Sequence, residues 1–536
     1  MTRPSPTWLW VLVAGAIEAL CFAPGPLPAW VLPFAQIGAL SVLAASTWRA
    51  TGPRQAAFYG WLFGLAQFTV GVYWLTISMH EFGGLSLWLA SAALLLFAAC
   101  MALYGAAACA LSAWLSAAHK NPEQRAARQV LNAVTWASAW TLFEWLRGTL
   151  FTGFTWLNIG YAHAEGMFAA WAPVVGVYGL AWLAAFAAAT IGLMARAKDT
   201  PYDRSAAAGI ALTLLAGLAG IAATHLSWSQ PDGTPLLVRL VQPATPQAEK
   251  FDPARFLQAQ EHARRLAGLA AKSPADQPSL VILPETVVPI FQDEIPAPVW
   301  QPWLDLAQRM NAAIVLGLPL HTQRDGGNQY TNSATVLYPG DTRPPLVPER
   351  WHYDKHHLVP FGEFIPPGFR WFVHALQIPL GDFNRGALRQ APLSLDGQAL
   401  AIDICYEDTF GEAIAASVAP DASGAPGASI LVNLSNLAWF GNTWALRQHL
   451  WMARMRALET ARPMLRATNT GTTAAIAPDG AVLGALDPAI PGVLDVEVQG
   501  MTGLSPYVRW GNLPVLVWSV LGLLLAARRR RPAGPD

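Results

Sequence analysis

The chain has 536 residues, of which 53% are hydrophobic and only 13% charged; this excludes an ordinary single soluble domain and a disordered chain alike. Lys plus Arg and Asp plus Glu each number 34, so no global basic field exists to hold a nucleic acid. Four cysteines exclude a disulfide-rich scaffold or a zinc ribbon.

A membrane crossing needs about 20 predominantly apolar residues. Eight stretches qualify, at about 7 to 23, 28 to 47, 56 to 78, 84 to 114, 129 to 147, 167 to 195, 205 to 224 and 511 to 527. The first reads as an uncleaved anchor. A single Arg precedes it, no small-x-small site leads into a polar start, and Glu18-Ala-Leu-Cys21 lacks the small residue of a lipoprotein cleavage site. Positively charged short loops stay in the cytoplasm. Arg3, Arg49, Arg54, Lys120, Arg125, Arg128, Arg196, Lys198, Arg204 and Arg528 to Arg531 fall on one side, whereas the opposite short loops offer only Arg147. The sequence therefore predicts both termini inside and the segment between the last two spans outside. Its organisation reads as a membrane domain of about seven spans over 1–228, an extracytoplasmic domain over 232–508, and a final span with a basic tail over 509–536.

The segment 232–508 gains Asp, Glu, Gln and Asn. Short β-type runs at Leu236–Val241, Leu280–Leu283, Ala313–Leu318, Ala399–Cys405, Ile430–Leu434 and Val493–Val498 alternate with helical stretches at Ala254–Lys272 and Trp444–Ala461, the latter stopped by Pro463. That alternation predicts a layered α/β fold.

Cys21, Cys100 and Cys109 fall within predicted spans, where a small buried thiol is inert packing. Cys405 differs. It is the lone cysteine of a domain placed in an oxidising compartment, and it ends the apolar run Ala-Ile-Asp-Ile, where sites collect in α/β folds. It is either a core cysteine or a nucleophile. A nucleophilic thiol needs a base, and the attacked carbonyl needs positive charge for its oxyanion. Leu-Val-Ile-Leu-Pro-Glu285 puts a carboxylate just past a buried strand that Pro284 ends; apolar walls there predict a raised pKa. Lys355 is one of three lysines in the domain, with Lys250 and Lys272, and a fixed ammonium lowers a neighbouring thiol's pKa. The alternatives are a solvated strand-end Glu and an exposed Lys. His352, His356 and His357 make no zinc motif, since no Glu completes H-E-x-x-H and an adjacent pair on a strand faces opposite ways. A P-loop, a G-x-S-x-G elbow and a dinucleotide fingerprint are absent from the sequence.

Taken together, Glu285, Lys355 and Cys405 in that chain order resemble the nitrilase superfamily, whose fold is an αββα sandwich. With spans before and after, the chain is similar across nearly its whole length to the bacterial apolipoprotein N-acyltransferases. Gly71-Val-Tyr-Trp74, His80-Glu-Phe-Gly-Gly84, Thr152-Gly-Phe-Thr-Trp156, Leu283-Pro-Glu285, Lys355-His-His-Leu-Val-Pro-Phe-Gly-Glu363, Cys405-Tyr-Glu407 and Met452 to Glu459 carry the resemblance. It implies Cys405 as the acyl-accepting nucleophile, Glu285 as general base and Lys355 as oxyanion stabiliser. Glu363, Tyr406 and Glu407 resemble the supporting residues. Trp156 and Trp439 resemble substrate-binding aromatics, the alternative for Trp156 being an interfacial belt Trp. The turn at Pro360-Phe-Gly brings Glu363 back toward Lys355. The implied activity is inner-membrane transfer of an acyl chain from a phospholipid, phosphatidylethanolamine, to the lipidated N-terminal Cys of an apolipoprotein, with no cofactor and no metal.

The family pattern Asn-Asp-x-Trp-Phe reads Asn436-Leu437-Ala-Trp439-Phe440, Arg447 and Phe251 stand where Trp is expected, and Thr155 replaces a Pro. Three alternatives follow: a divergent, low-activity copy; a membrane-tethered amidase or nitrile hydrolase; and a transporter, for which Glu18 and Glu144 are the in-span carboxylates, Glu144 able to pair with Arg147 at i+3.

Overall fold

The computed structural model describes residues 6–116, 123–194, 204–324, 327–343, 350–366 and 382–530. Arg3, Lys120, Arg196, Lys198 and Arg531, used above to orient the spans, lie outside the described residues. Two compact units form: Met1–Thr76, Ser86–Ser227 and Trp510–Asp536 make one, and Ile77–Leu85 with Trp228–Arg509 make the other.

The first unit is helical. By length and apolar composition, Ala29–Arg49, Leu87–Leu115 and Ala169–Met194 suffice to cross a membrane, and Pro53–Gly71 does so together with Leu75–Phe82, which is bent from it by 63°. Thr7–Leu20 and Ala207–Ala223 are apolar but shorter. Small residues let these helices approach, as they do where lipid removes the hydrophobic drive for association. A Cβ on Gly64 would lie 2.8 Å from the Ala102 Cα, and one on Gly60 would collide with the Gly105 carbonyl. Buried carboxylates find partners among the helices: Arg147 pairs with Glu144 at 3.2 Å on one helix, and Gln36 of Leu32–Arg49 donates to Glu18 of Thr7–Leu20 at 3.0 Å. Cys21 and Cys109 are buried as expected, but Cys100 is exposed on its helix.

The second unit has two six-stranded sheets and a two-stranded pair of Gln230–Pro231 with Met501–Thr502. The first contains, in chain order, β1 (Leu236–Gln242), β2 (Leu280–Ile282), β3 (Ala313–Arg324), β4 (Gly327–Leu337) and β5 (His352–Asp354). The second contains β6 (Leu393–Leu395), β7 (Gln398–Ile404), β8 (Ile430–Ser435), β9 (Met464–Thr468), β10 (Ala474–Ile476) and β11 (Val482–Ala485), and β12 (Gly492–Val498) returns to the first. The spatial orders are β12-β1-β2-β3-β4-β5 and β11-β10-β9-β8-β7-β6. Strands β1, β2 and β3 run parallel, as do β7, β8 and β9, so each sheet has a central parallel run whose strand ends point one way.

Period-two alternation sorts the side chains. Val238, Leu240, Leu280, Ile282 and Val315 meet Leu400, Ile402, Ile404, Val432 and Leu434 in one buried cluster between the sheets. Val241, Val281 and Ile314, on the opposite pleat, join Trp300 and Trp303 of the helix Ala297–Met310. Ala401, Leu431 and Met464 meet the helices Gly411–Val418 and Ala445–Thr460. The layers are therefore helix, sheet, sheet, helix, as the resemblance implies. Each buried Leu, Ile or Val adds about 1.5–3 kcal/mol, so the intersheet core holds the two sheets face to face at the site.

Candidate active site

Glu285 leaves the first sheet where the pairing of β2 runs out. Leu283 still donates to the Val315 carbonyl at 2.9 Å, and Pro284 then has no N–H to continue. The carboxylate is 6% exposed. Its Oε1 accepts from the Asn332 side chain at 2.8 Å and from Lys355 at 3.3 Å, and its Oε2 accepts from the main-chain N–H of Asn436 at 2.8 Å.

Lys355 follows β5, where its own N–H donates to the Asn332 carbonyl at 2.8 Å. Its ammonium is 1% exposed and donates to Glu363 Oε1 at 2.8 Å. The chain does turn back between them: Phe361 takes φ 64°, and the Val359 N–H donates to Glu363 Oε2 at 2.8 Å, which fixes the carboxylate that holds the ammonium. Asn332 also donates to Glu363 Oε1 at 2.6 Å, so it bridges both carboxylates.

Cys405 comes from the other sheet. It ends β7 and starts the short turn Cys405–Thr409 at φ 56°, in the left-handed region, so the chain bends sharply at the sulfur. Asn433 of β8 donates to its carbonyl at 3.1 Å. Glu285, Lys355 and Glu363 all act electrostatically on the thiol, and the Asn436 N–H points to it as well as to Glu285. Glu407, two residues on, joins the sheets. Its Oε1 accepts from the N–H groups of His356 and His357 at 2.8 and 2.9 Å, and its Oε2 from the Ile404 N–H at 2.7 Å and the Tyr353 hydroxyl at 2.9 Å. Glu407 thus ties the Lys355 segment to the Cys405 turn. Tyr406 is buried edge-on to Phe410, ring centroids 5.1 Å apart.

Two expectations about charge change. Apolar walls predict a raised carboxyl at Glu285. Burial does push it up, but Lys355 and Lys250, with the donors of Asn332 and Asn436, hold it below the usual value. Lys355 is predicted to depress the Cys405 thiol, yet burial, reinforced by Glu285, pushes it well above its ordinary value against that pull. Lys355 itself, despite burial, is raised by Glu285 and Glu363. The resting site therefore holds a carboxylate, an ammonium and a neutral thiol.

Other residues escape sequence reasoning. Asn332 lies within the long β3–β4 hairpin arm and carries no motif. Lys250, 5% exposed, donates to the Glu285 carbonyl at 3.0 Å; burial first, opposed by Glu285 and Cys405, brings its pKa down to about 8. Behind the Cys405 turn, Arg466 reaches Asp408 and His449 at 2.5 Å each, and His449 lies 3.2 Å from Asp408. Their only sequence signal is charge inside apolar runs.

The remaining residues read as follows. Trp439 is half-buried, with Phe82 edge-on to it at 5.5 Å. Trp156 belongs to the helical unit, where it is 3% exposed against Trp74 at 5.1 Å, which is not the setting of a belt Trp. Leu437, where the pattern has an acid, is buried beside Gly471. His356 contacts the Gly386 carbonyl at 2.8 Å, and His357 stacks on Phe410 at 3.5 Å. Among the described residues no group of three or more His, Cys, Asp and Glu is arranged to hold a metal ion.

Residues 14–190 match the family described as apolipoprotein N-acyltransferase N-terminal domain, and residues 237–507 match the carbon-nitrogen hydrolase family. The chain is 50% identical over 536 residues to the apolipoprotein N-acyltransferase of Bordetella bronchiseptica, covering 97% of each. It is 44% identical over 528 residues to that of Ralstonia nicotianae, covering 97% of this chain and 93% of the relative. Among solved structures, an amidase from Nesterenkonia sp. is 20% identical, with a TM-score of 0.33 over 52% of this chain and 94% of its own. The C. elegans NitFhit protein is 18% identical, with a TM-score of 0.36 over 56% of this chain and 65% of its own. The identities over nearly the full length decide the assignment: the chain belongs to the apolipoprotein N-acyltransferase family.

Proposed function

We propose that this membrane enzyme transfers a fatty acyl chain from a phospholipid, through a thioester on Cys405, to the α-amino group of the lipidated N-terminal Cys of lipoproteins. The single observation that carries the chemistry is the meeting of the buried Glu285 and Lys355 from one sheet with the half-buried Cys405 from the other. Because the thiol is neutral at rest and Glu285 ionised, proton transfer to Glu285 accompanies attack on the ester carbonyl rather than preceding it. Lys355, held by Glu363, supplies positive charge to the oxyanion. As the carbonyl re-forms, Glu285 returns the proton to the leaving lysophospholipid oxygen. In the second half the acceptor amine attacks the thioester, Glu285 takes an amine proton, and the Cys405 sulfur leaves and recovers it. Burial of Glu285, Lys355 and Glu363 around the half-buried Cys405 limits water at the thioester.

Phosphatidylethanolamine is the proposed donor, from the family resemblance. The proposed setting is the bacterial inner membrane, with the sandwich on the periplasmic side and both termini cytoplasmic, as the Lys and Arg distribution argues. The eight spans and the division at 1–228, 232–508 and 509–536 are part of the same proposal. An amidase tethered to the membrane is not favoured, since residues 14–190 match a domain described for the acyltransferases.

The test is complementation of a bacterium depleted of its own lipoprotein N-acylating enzyme, read by mass spectrometry of a lipoprotein N-terminus. Restoration of the third acyl chain by wild type and not by Cys405→Ala is the expected result. Growth without N-acylation, or N-acylation by Cys405→Ala, overturns the proposal.

A further inference from the structure

The mechanism leaves one buried cation at the site unused. Lys250 ends the short helix Gln247–Lys250, and its ammonium bonds the main-chain carbonyl of Glu285 rather than the carboxylate. The turn it holds is not one that local preference supplies. Thr286 stands at φ 50°, a region that disfavours a β-branched residue. The turn is also pressed onto β3: a Cβ on Gly317 would lie 2.6 Å from the Thr286 nitrogen and 2.8 Å from the Glu285 Cα. A base held this close against a strand, in an unfavoured conformation, needs an outside restraint.

The segment that provides it is anchored on the opposite sheet. Asn469, just past β9, accepts from the Thr245 N–H at 2.9 Å and donates to the Thr245 carbonyl at 2.8 Å. Asn436, just past β8, donates to Gln247 Oε1 at 3.0 Å and accepts from Asn469 at 3.0 Å. The N–H of the same Asn436 reaches Glu285 Oε2. The base and the nucleophile's sheet are thus joined twice, once by Asn436 directly and once by the strap from Pro243 to Lys250.

We propose that Lys250 is a positioning residue of the acyl-transfer site, clamping the Glu285 turn by its main chain so that the strap 243–250 ties the base of one sheet to the nucleophile's sheet. The inference rests on the acyl-transfer reading above. The charged or titratable groups facing Glu285 are Lys355 and Glu363 from the segment after β5, Cys405 from the turn after β7, and Lys250 from the strap. Lys250 is therefore one of two cations that keep Glu285 ionised, and both its hydrogen bond and its charge have measurable consequences.

The experiment follows single-turnover acylation of Cys405 by labelled phosphatidylethanolamine in micelles, using full-length wild type, Lys250→Gln and Lys250→Met across the acid range. In Lys250→Met, which loses both bond and charge, the plateau rate falls about tenfold to a hundredfold, the cost of a base displaced by about an ångström, while the donor concentration for half saturation is unchanged. Lys250→Gln keeps a donor and most of the plateau. In both variants the acid limb of the rate moves to higher pH, because Glu285 loses a neighbouring cation. Should Lys250→Met fail to fold, the limb in Lys250→Gln decides. A wild-type limb in the Gln variant, or wild-type rate and limb in the Met variant, overturns the clamp alone. A wild type that forms no adduct on Cys405 brings down the acyl-transfer reading, and the clamp with it.

Discussion

Both units bury carboxylates, and they satisfy them in opposite ways. In the helical unit Glu144 finds Arg147 three residues along its own helix, and its other donor is the N–H of Ile159, 15 residues away. In the sandwich the three groups that bond the Glu285 carboxylate lie 47, 70 and 151 residues away in sequence. The Glu144–Arg147 pair forms with its own helix and bonds the segment that follows, at the Phe154 and Trp156 carbonyls and the Ile159 N–H. A carboxylate whose donors converge from both sheets exists only when the entire sandwich is in register, and that costs far more to arrange. The difference fits Glu144 as a charge kept for packing and Glu285 as one kept for the proposed chemistry.

The largest effects should therefore come from breaking the converged set. Glu285→Gln and Lys355→Met should each reduce acyl transfer by about two to four powers of ten, measured as single-turnover formation of the Cys405 adduct. Glu407→Gln and Glu363→Gln remove groups that orient rather than react, and should cost about ten- to a hundredfold in rate with little change in donor binding. In the helical unit, Gly60→Leu should leave every catalytic group in place. It should destabilise the helix contact by about 1–3 kcal/mol of overpacking, seen as a lower unfolding temperature in detergent.

The smallest effect comes from Lys250 and pH. Its folded pKa of about 8 lies below the ordinary lysine value, so above pH 8 the unfolded chain holds a proton that the folded protein has released. Stability from this group accordingly rises with pH between about 8 and the ordinary lysine value of about 10.4. Relative to wild type, Lys250→Met should lack that rise in thermal unfolding. An identical pH dependence in the two proteins would show that Lys250 is not buried as a cation.

Glu285, Lys355 and Cys405 were legible because each breaks its background: a Glu after an apolar run, one of three lysines, a lone cysteine. Strand and helix alternation made a layered α/β fold legible, and the helix–sheet–sheet–helix order came from the family resemblance. The short strands β5, β6, β10 and β11 were not, since three or four residues carry too little period to stand out. Asn332, Asn436 and Lys250 were hidden because hydrogen bonds across 35 to 151 residues leave no local pattern. Lysine scarcity was the one usable hint, for Lys250 and Lys355 are both buried and Lys272 is exposed. The pKa directions at Glu285 and Cys405 were misjudged for a related reason. At Cys405 burial outweighs the pull of Lys355, and at Glu285 a second lysine, invisible until the strap is folded, adds to the first.

The most direct test is to quench the full-length enzyme seconds after mixing with labelled phospholipid and to sequence the Cys405 peptide by mass spectrometry. The account predicts an acyl mass on the sulfur that hydroxylamine removes, that a lipoprotein acceptor discharges into an amide, and that Cys405→Ala lacks. Lipoprotein N-acylation proceeding at an undiminished rate with an unmodified Cys405, or in Cys405→Ala, would contradict it.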